Sequence, residues 1–174
     1  MKGLYPPLGR WDPAPLTDVA ARFSRAGSPW WVAGGFAIGL AVGRRVRSHD
    51  DIDVLLLRRD QLVDQQVLAG WQWWAADPPG SLRPWAPGET LPSASTTSGA
   101  GRAPRPPAGR RPRRHLRRRG ADVQLFYKAR TPRPKDEQDF DAALPVLTER
   151  QRGWLADAIT DTYGPPPWLG RLRP

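Results

Sequence analysis

The sequence predicts an α+β fold, a small mixed β-sheet flanked by helices, with a helical C-terminal part and a disordered insert rich in arginine and proline. Three observations lead there. Short apolar runs alternate with helical patterns up to about residue 91. The chain from residue 121 onward shows helical spacing and helix start signals only. Between them, residues 92–120 are almost devoid of large apolar side chains, Leu116 being the one large aliphatic. The layout is therefore 1–91 as a core, 92–120 as a disordered segment, and 121–174 as the helical C-terminal part of the same domain.

Each element has a local reason. Thr17 to Arg25 reads as a short helix after Pro15, and Trp30 to Ala33 as a short strand. Gly34 and Gly35 make a turn from which a helix runs over Phe36 to Gly43. Asp51 to Arg58 reads as a strand whose branched and apolar residues (Ile52, Val54, Leu55, Leu56, Leu57) suit a buried sheet. Asp60 is placed to cap a helix over Gln61 to Leu68 that Gly70 ends. Trp71 to Ala76 is the next strand, closed by the turn residues Asp77, Pro78, Pro79 and Gly80. Further on, Val123, Leu125, Phe126 and Ala129 give an apolar side. Pro134 opens a helix whose first turn carries Asp136 and Glu137. Thr148 with Gln151 forms a capping box for a last helix, with Trp154, Leu155, Ala158 and Ile159 as its stripe.

Length and composition set bounds. The chain has 174 residues, enough for a real core. It has no cysteine, which excludes disulfides and thiolate metal sites, and two histidines, which argues against a His-built zinc site. No apolar run nears the roughly 20 residues of a membrane span, and Met1 to Arg10 has no export signal. A cytoplasmic protein is expected. The formal charge of +10 suggests nucleic acid. Yet nine arginines lie between Arg102 and Arg119, with no acidic residue from Thr90 to Ala121, so the remainder is close to neutral. Non-specific nucleic-acid binding through that segment is the alternative function, salt-dependent and without base preference.

The chemistry-bearing residues cluster in Trp31-Val32-Ala33-Gly34-Gly35-Phe36-Ala37 and in Arg47-Ser48-His49-Asp50-Asp51-Ile52-Asp53-Val54. On a strand, Asp51 and Asp53 project to one face. Two carboxylates there can hold a hard divalent cation such as Mg²⁺, which bridges nucleotide phosphates. The Gly34-Gly35 turn and the helix start behind it offer backbone N–H groups to a phosphate, and Arg47 is a further phosphate contact.

This combination resembles the nucleotidyltransferase superfamily of the polymerase-β type, and within it the aminoglycoside 2''-adenylyltransferase group. Later stretches resemble it too: Trp85 to Glu89 with Leu91-Pro92, Val123 to Lys128, Arg133 to Asp136, and Asp139-Phe140. The resemblance implies a nucleotidyltransferase fold and Mg²⁺-dependent transfer of AMP from ATP to a hydroxyl of a small acceptor such as an aminoglycoside, an antibiotic-resistance activity. It makes Asp51 and Asp53 the catalytic metal ligands and places Gly34 and Gly35 at the triphosphate, with Arg47, Lys128 and Lys135 as nucleotide contacts. It also implies a third carboxylate from a later strand, beyond Pro92, and none is found there; Asp77, Glu89 and Asp122 only flank the gap. A stretch translated out of frame from 93 to about 120, with the frame restored by Asp122, accounts for the break. Weak or absent transfer activity is the expectation.

Overall fold

A computed structural model describes residues 14–78, 81–92, 120–165 and 167–173, together with the backbone of 96–100. The fold class is α+β: seven α-helices and five strands among the described residues. The strands form two small sheets, a two-stranded one of β1 (Trp30–Val32) with β2 (Val54–Leu56), and a three-stranded one. The chain groups into two compact units, Met1–Trp30 with Leu56–His115, and Trp31–Leu55 with Leu116–Pro174. Residues 31–55 thus fall with the C-terminal helices, a grouping that composition along the chain does not show.

In the first unit, α1 (Leu16–Phe23) follows Pro15 and buries Val19, Ala20 and Phe23 on one stripe. Phe23 meets Trp30 with ring centroids 5.4 Å apart. A 3₁₀ turn at Arg58–Asp60 leads into α3 (Val63–Val67). The expected helix over Gln61 to Leu68 is therefore shorter, and the Asp60 side chain makes no cap: the turn is closed by the Asp60 N–H on the Leu57 carbonyl.

Strand β3 (Gln72–Ala76) is the centre of the three-stranded sheet, between β4 (Leu82–Pro84) and β5 (Thr96–Ala100), antiparallel to both. Trp74 pairs with Pro84 on one side and Ser98 on the other. Beside this sheet Ala75, Trp85 and Leu91 are buried, with Trp73 edge-on to Trp85 at 5.7 Å. β5 lies inside the 92–120 stretch expected to be disordered. Low apolar content argues against a packed core, but a β-ladder is built from backbone groups, and Thr96 and Thr97 suit an extended chain. The rest of that segment, 93–95 and 101–119, lies outside the described residues.

The second unit is helical. Its core joins Ile38 of α2 (Gly34–Val42), Leu125 of α4 (Ala121–Lys128), Phe140 and Ala143 of α5 (Pro134–Ala143), Leu155 and Ile159 of α6 (Glu149–Tyr163), and Trp168, with Leu172 on α7 (Leu169–Leu172). Phe140 and Trp168 stack at 4.3 Å. Helix α2 packs on α4 and α5, and α4 on α6. The helix signals act as expected. Pro134 is in the first turn of α5, where its missing N–H costs nothing. The Thr148 hydroxyl accepts from the Gln151 N–H, and the Gln151 side chain accepts from the Thr148 N–H. Helix α2 stops at Gly43, whose φ of 79° is one that few other residues adopt.

The expected strand Asp51 to Arg58 is cut to Val54–Leu56, and these three are half-buried rather than buried. The reason lies in its partner. β1 ends at Val32 because Gly34 already starts a helix, so there is no ladder for a longer β2 to join. One further bond, from the Ala33 N–H to the Asp53 carbonyl at 2.9 Å, ties the residues before β2 to the end of β1.

Candidate active site around the diglycine helix start

All seven residues singled out from the sequence lie in the second unit. Asp51 and Asp53 precede β2 instead of lying on it, which corrects the same-strand placement. The close approach survives that correction. Gly34 has φ 59°, and a Cβ added to it would collide with the Asp53 carboxyl oxygen. A Cβ on Gly35 would collide with the His49 ring and meet Arg47 Nη2. The two glycines are thus required by what lies over them: Asp53 on the first, His49 and Arg47 on the second.

Burial raises the pKa of Asp53 above the usual carboxylate value, and the Asp51 charge adds to the rise, whereas Lys128 and Lys135 oppose it. These four charges therefore share one field. Among the described residues neither Asp51 nor Asp53 has a hydrogen bond or ion pair to its carboxylate. Their lone pairs are open, their mutual repulsion is only partly offset by Lys128 and Lys135, and their oxygens are hard donors. That donor set fits Mg²⁺, which takes one or two carboxylates and completes its shell with water and phosphate.

The carboxylates behind them differ. Asp139 and Asp136 are 0 % and 1 % exposed, and both are fully paired. Arg47 grips Asp139 with two bonds, Nε to Oδ1 at 3.1 Å and Nη2 to Oδ2 at 3.2 Å. Lys128 Nζ reaches Asp136 at 2.7 Å and Asp139 at 3.0 Å. Arg133 adds its Nε and its backbone N–H to Asp136. Burial alone would raise the pKa of Asp136, but the hydrogen bonds from Arg133 and Lys128 outweigh it and hold that carboxyl well below the usual range. Arg47 and Lys128, expected on the nucleotide, are thus bound to buried carboxylates, while Lys135 is exposed. His49 is held below the ordinary histidine value, first by burial and then by Arg47; its ring lies 4.5 Å from that of Phe36.

The residues flanking the gap also have partners. Asp77 and Glu89 both take hydrogen bonds from Arg83, and Asp122 Oδ1 accepts from Gln151 Nε2 at 3.2 Å. No group of three His, Cys, Asp or Glu side chains placed to hold a metal occurs among the described residues.

Sequence reading missed Asp139 and Gln124 as parts of the site. Asp136, Asp139, Phe140 and Ala143 are the buried stripe of α5, and Ala121, Gln124 and Leu125 that of α4. A polar residue on an otherwise apolar helical stripe was the available signal.

The family model of aminoglycoside-2''-adenylyltransferase matches residues 15–70. The matched stretch carries β1, the diglycine, α2, Arg47, Asp51 and Asp53, and marks this segment as nucleotidyltransferase-like. It stops before α4 and α5. No curated protein and no solved structure matches the chain. The arginine-rich stretch read as a nucleic-acid contact lies outside the described residues. No helix among the described residues is long and apolar enough to cross a membrane.

Proposed function

We propose that the second unit binds a nucleoside triphosphate, ATP by resemblance, with Mg²⁺ at Asp51 and Asp53, for transfer of its nucleoside monophosphate to a hydroxyl of a small acceptor such as an aminoglycoside. One observation carries the reading: Asp53 lies against Gly34 at the diglycine helix start with the Asp51 charge acting on it, and neither carboxylate has a partner among the described residues, whereas the buried Asp136 and Asp139 are paired. An open acidic pair beside a phosphate-accepting backbone suits a cation shared with phosphate.

The chain's own residues have distinct parts. Gly34 and Gly35, lacking Cβ atoms, admit both the phosphates and the side chains packed over them. Lys135, exposed and within the field of Asp53, offsets phosphate charge. Asp139 and Asp136 fix Arg47, Lys128 and Arg133 as a rigid wall, so the wall's positive ends need little reorganisation. When bound, Mg²⁺ neutralises charge on the transferring phosphoryl group. No acidic residue lies between Thr90 and Ala121 to act as base on the acceptor hydroxyl. General-base assistance contributes on the order of 10²–10⁴-fold, so transfer is expected slower than in a full nucleotidyltransferase by about that factor.

Calorimetric titration with ATP in the presence and absence of Mg²⁺, on wild type and Asp53→Ala, tests the binding. Affinity that requires Mg²⁺ and is lost in the variant is expected; ATP binding indifferent to both would refute the reading. Label transfer from ATP to a panel of aminoglycosides tests the chemistry, and a rate typical of enzymes would overturn the expected slowness.

A further inference from the structure

Gln124 lies on the buried stripe of α4 and is 6 % exposed. Its Oε1 accepts from the Gly34 N–H at 2.7 Å. That bond decides which way the side-chain amide faces. A backbone N–H can only donate, so the oxygen must be turned to it, and the NH₂ group must occupy the other position. Nε2 is buried there and, among the described residues, has no hydrogen-bond partner. An unpaired buried donor costs about 1–3 kcal/mol. Packing does not require it, since methionine or leucine would fill a similar volume without that cost. Anchoring Gly34 does not require it either, since an acceptor alone would serve.

The surroundings indicate what the donor is for. Nε2 shares its carbon with Oε1 and therefore sits beside Gly34, at the start of a nine-residue helix whose first N–H groups have no partner within the helix. Lys128 and Lys135 place positive charge in the same field. The missing partner is an acceptor, and a phosphate brought in with Mg²⁺ at Asp51 and Asp53 would supply one, the cation offsetting the charge of the two carboxylates.

We propose that Gln124 is a ligand-binding residue: its Nε2 donates to a phosphate oxygen of a nucleoside polyphosphate held at the start of α2, with Oε1 on Gly34 fixing the amide in advance. The inference rests on the triphosphate site proposed above and adds to it a residue outside the family-matched stretch. Because the amide is already oriented, no side-chain entropy is lost on binding.

Two substitutions separate this from an anchoring role. Gln124→Glu keeps an acceptor for Gly34 and removes the donor. Gln124→Met keeps the volume and removes both. The full chain is titrated with inorganic tripolyphosphate and with MgATP, with helix content checked by circular dichroism. A hydrogen bond to a charged group corresponds to roughly 10–100-fold in affinity. Both variants are therefore expected to lose at least about 10-fold for tripolyphosphate, Gln124→Glu with its helix content unchanged. Wild-type affinity in either folded variant overturns the role of Gln124. If MgATP binding is then still lost in Asp53→Ala, the nucleotide site stands without it. Failure of the wild-type chain to bind either probe overturns both.

Discussion

Replacing Lys128 with methionine removes the cation shared by Asp136 and Asp139. Lys128 is 12 % exposed at its side chain, and its two partners are 1 % and 0 % exposed. Breaking a buried ion pair from one side costs about 3–5 kcal/mol. Here each carboxylate keeps an arginine. Arg47 holds Asp139 by two bonds from a side chain only 17 % exposed, but Arg133, on Asp136, is 61 % exposed and more strongly screened by solvent. The lower end of the range therefore applies, about 3 kcal/mol. For a chain of 174 residues each kcal/mol moves the melting temperature by about 2–4 °C, giving a drop of about 6–12 °C. Thermal melts followed by the far-ultraviolet helix signal report it, because α4, α5 and α6 dominate that signal. The control is Lys135→Ala. An exposed lysine changes stability by less than about 0.5 kcal/mol, so its melt should shift by no more than about 2 °C while MgATP affinity falls. Should Lys128→Met melt within 2 °C of wild type, the clamp described between α4 and α5 would be wrong, and Lys128 would revert to a ligand-facing residue.

Two further outcomes concern the open carboxylates. Asp53→Asn removes a charge disfavoured by burial and by Asp51, so it should raise the melting temperature, only slightly because residue 53 is open to solvent screening, while Mg²⁺-dependent ATP binding is lost. Since the folded pKa of Asp53 lies above its unfolded value, wild type recovers that stability as pH falls through the folded value. The gap between variant and wild type should thus close on acidification from pH 7 toward pH 4, and a gap constant over that range contradicts the shift. Gly34→Ala puts a methyl group at φ 59° and onto the Asp53 carboxyl. The backbone conformation alone costs roughly 1–2 kcal/mol, so melting should fall by about 2–8 °C and Mg²⁺ affinity with it. An unchanged melt would mean that residue 34 does not hold the left-handed conformation.

Local rules made much of the chain legible. Pro134 and the Thr148–Gln151 box mark helix starts because the unpaired N–H groups of a first turn must be satisfied nearby, by residues a few positions apart. Gly34, Gly35, Asp51 and Asp53 stood out because their types and spacing carry chemistry before any folding is considered. What sequence could not supply was anything fixed by a distant partner. The length of β2 depends on where β1 ends, and β5 exists because β3 offers it backbone groups, so neither follows from its own side chains.

The charged residues show the same division. Asp136, Lys128 and Arg47 all resemble surface or ligand-facing groups when read in line. Sequence alone determined which groups could ionise and which helices would present them. Only the tertiary structure decided that Asp136 and Asp139 lie inside, where charge must be matched, and so drew Lys128 and Arg47 to them while leaving Asp51 and Asp53 unmatched. The reason is physical: the cost of a charge depends on the solvent and the counter-charges around it, and packing of α2, α4 and α5 sets both.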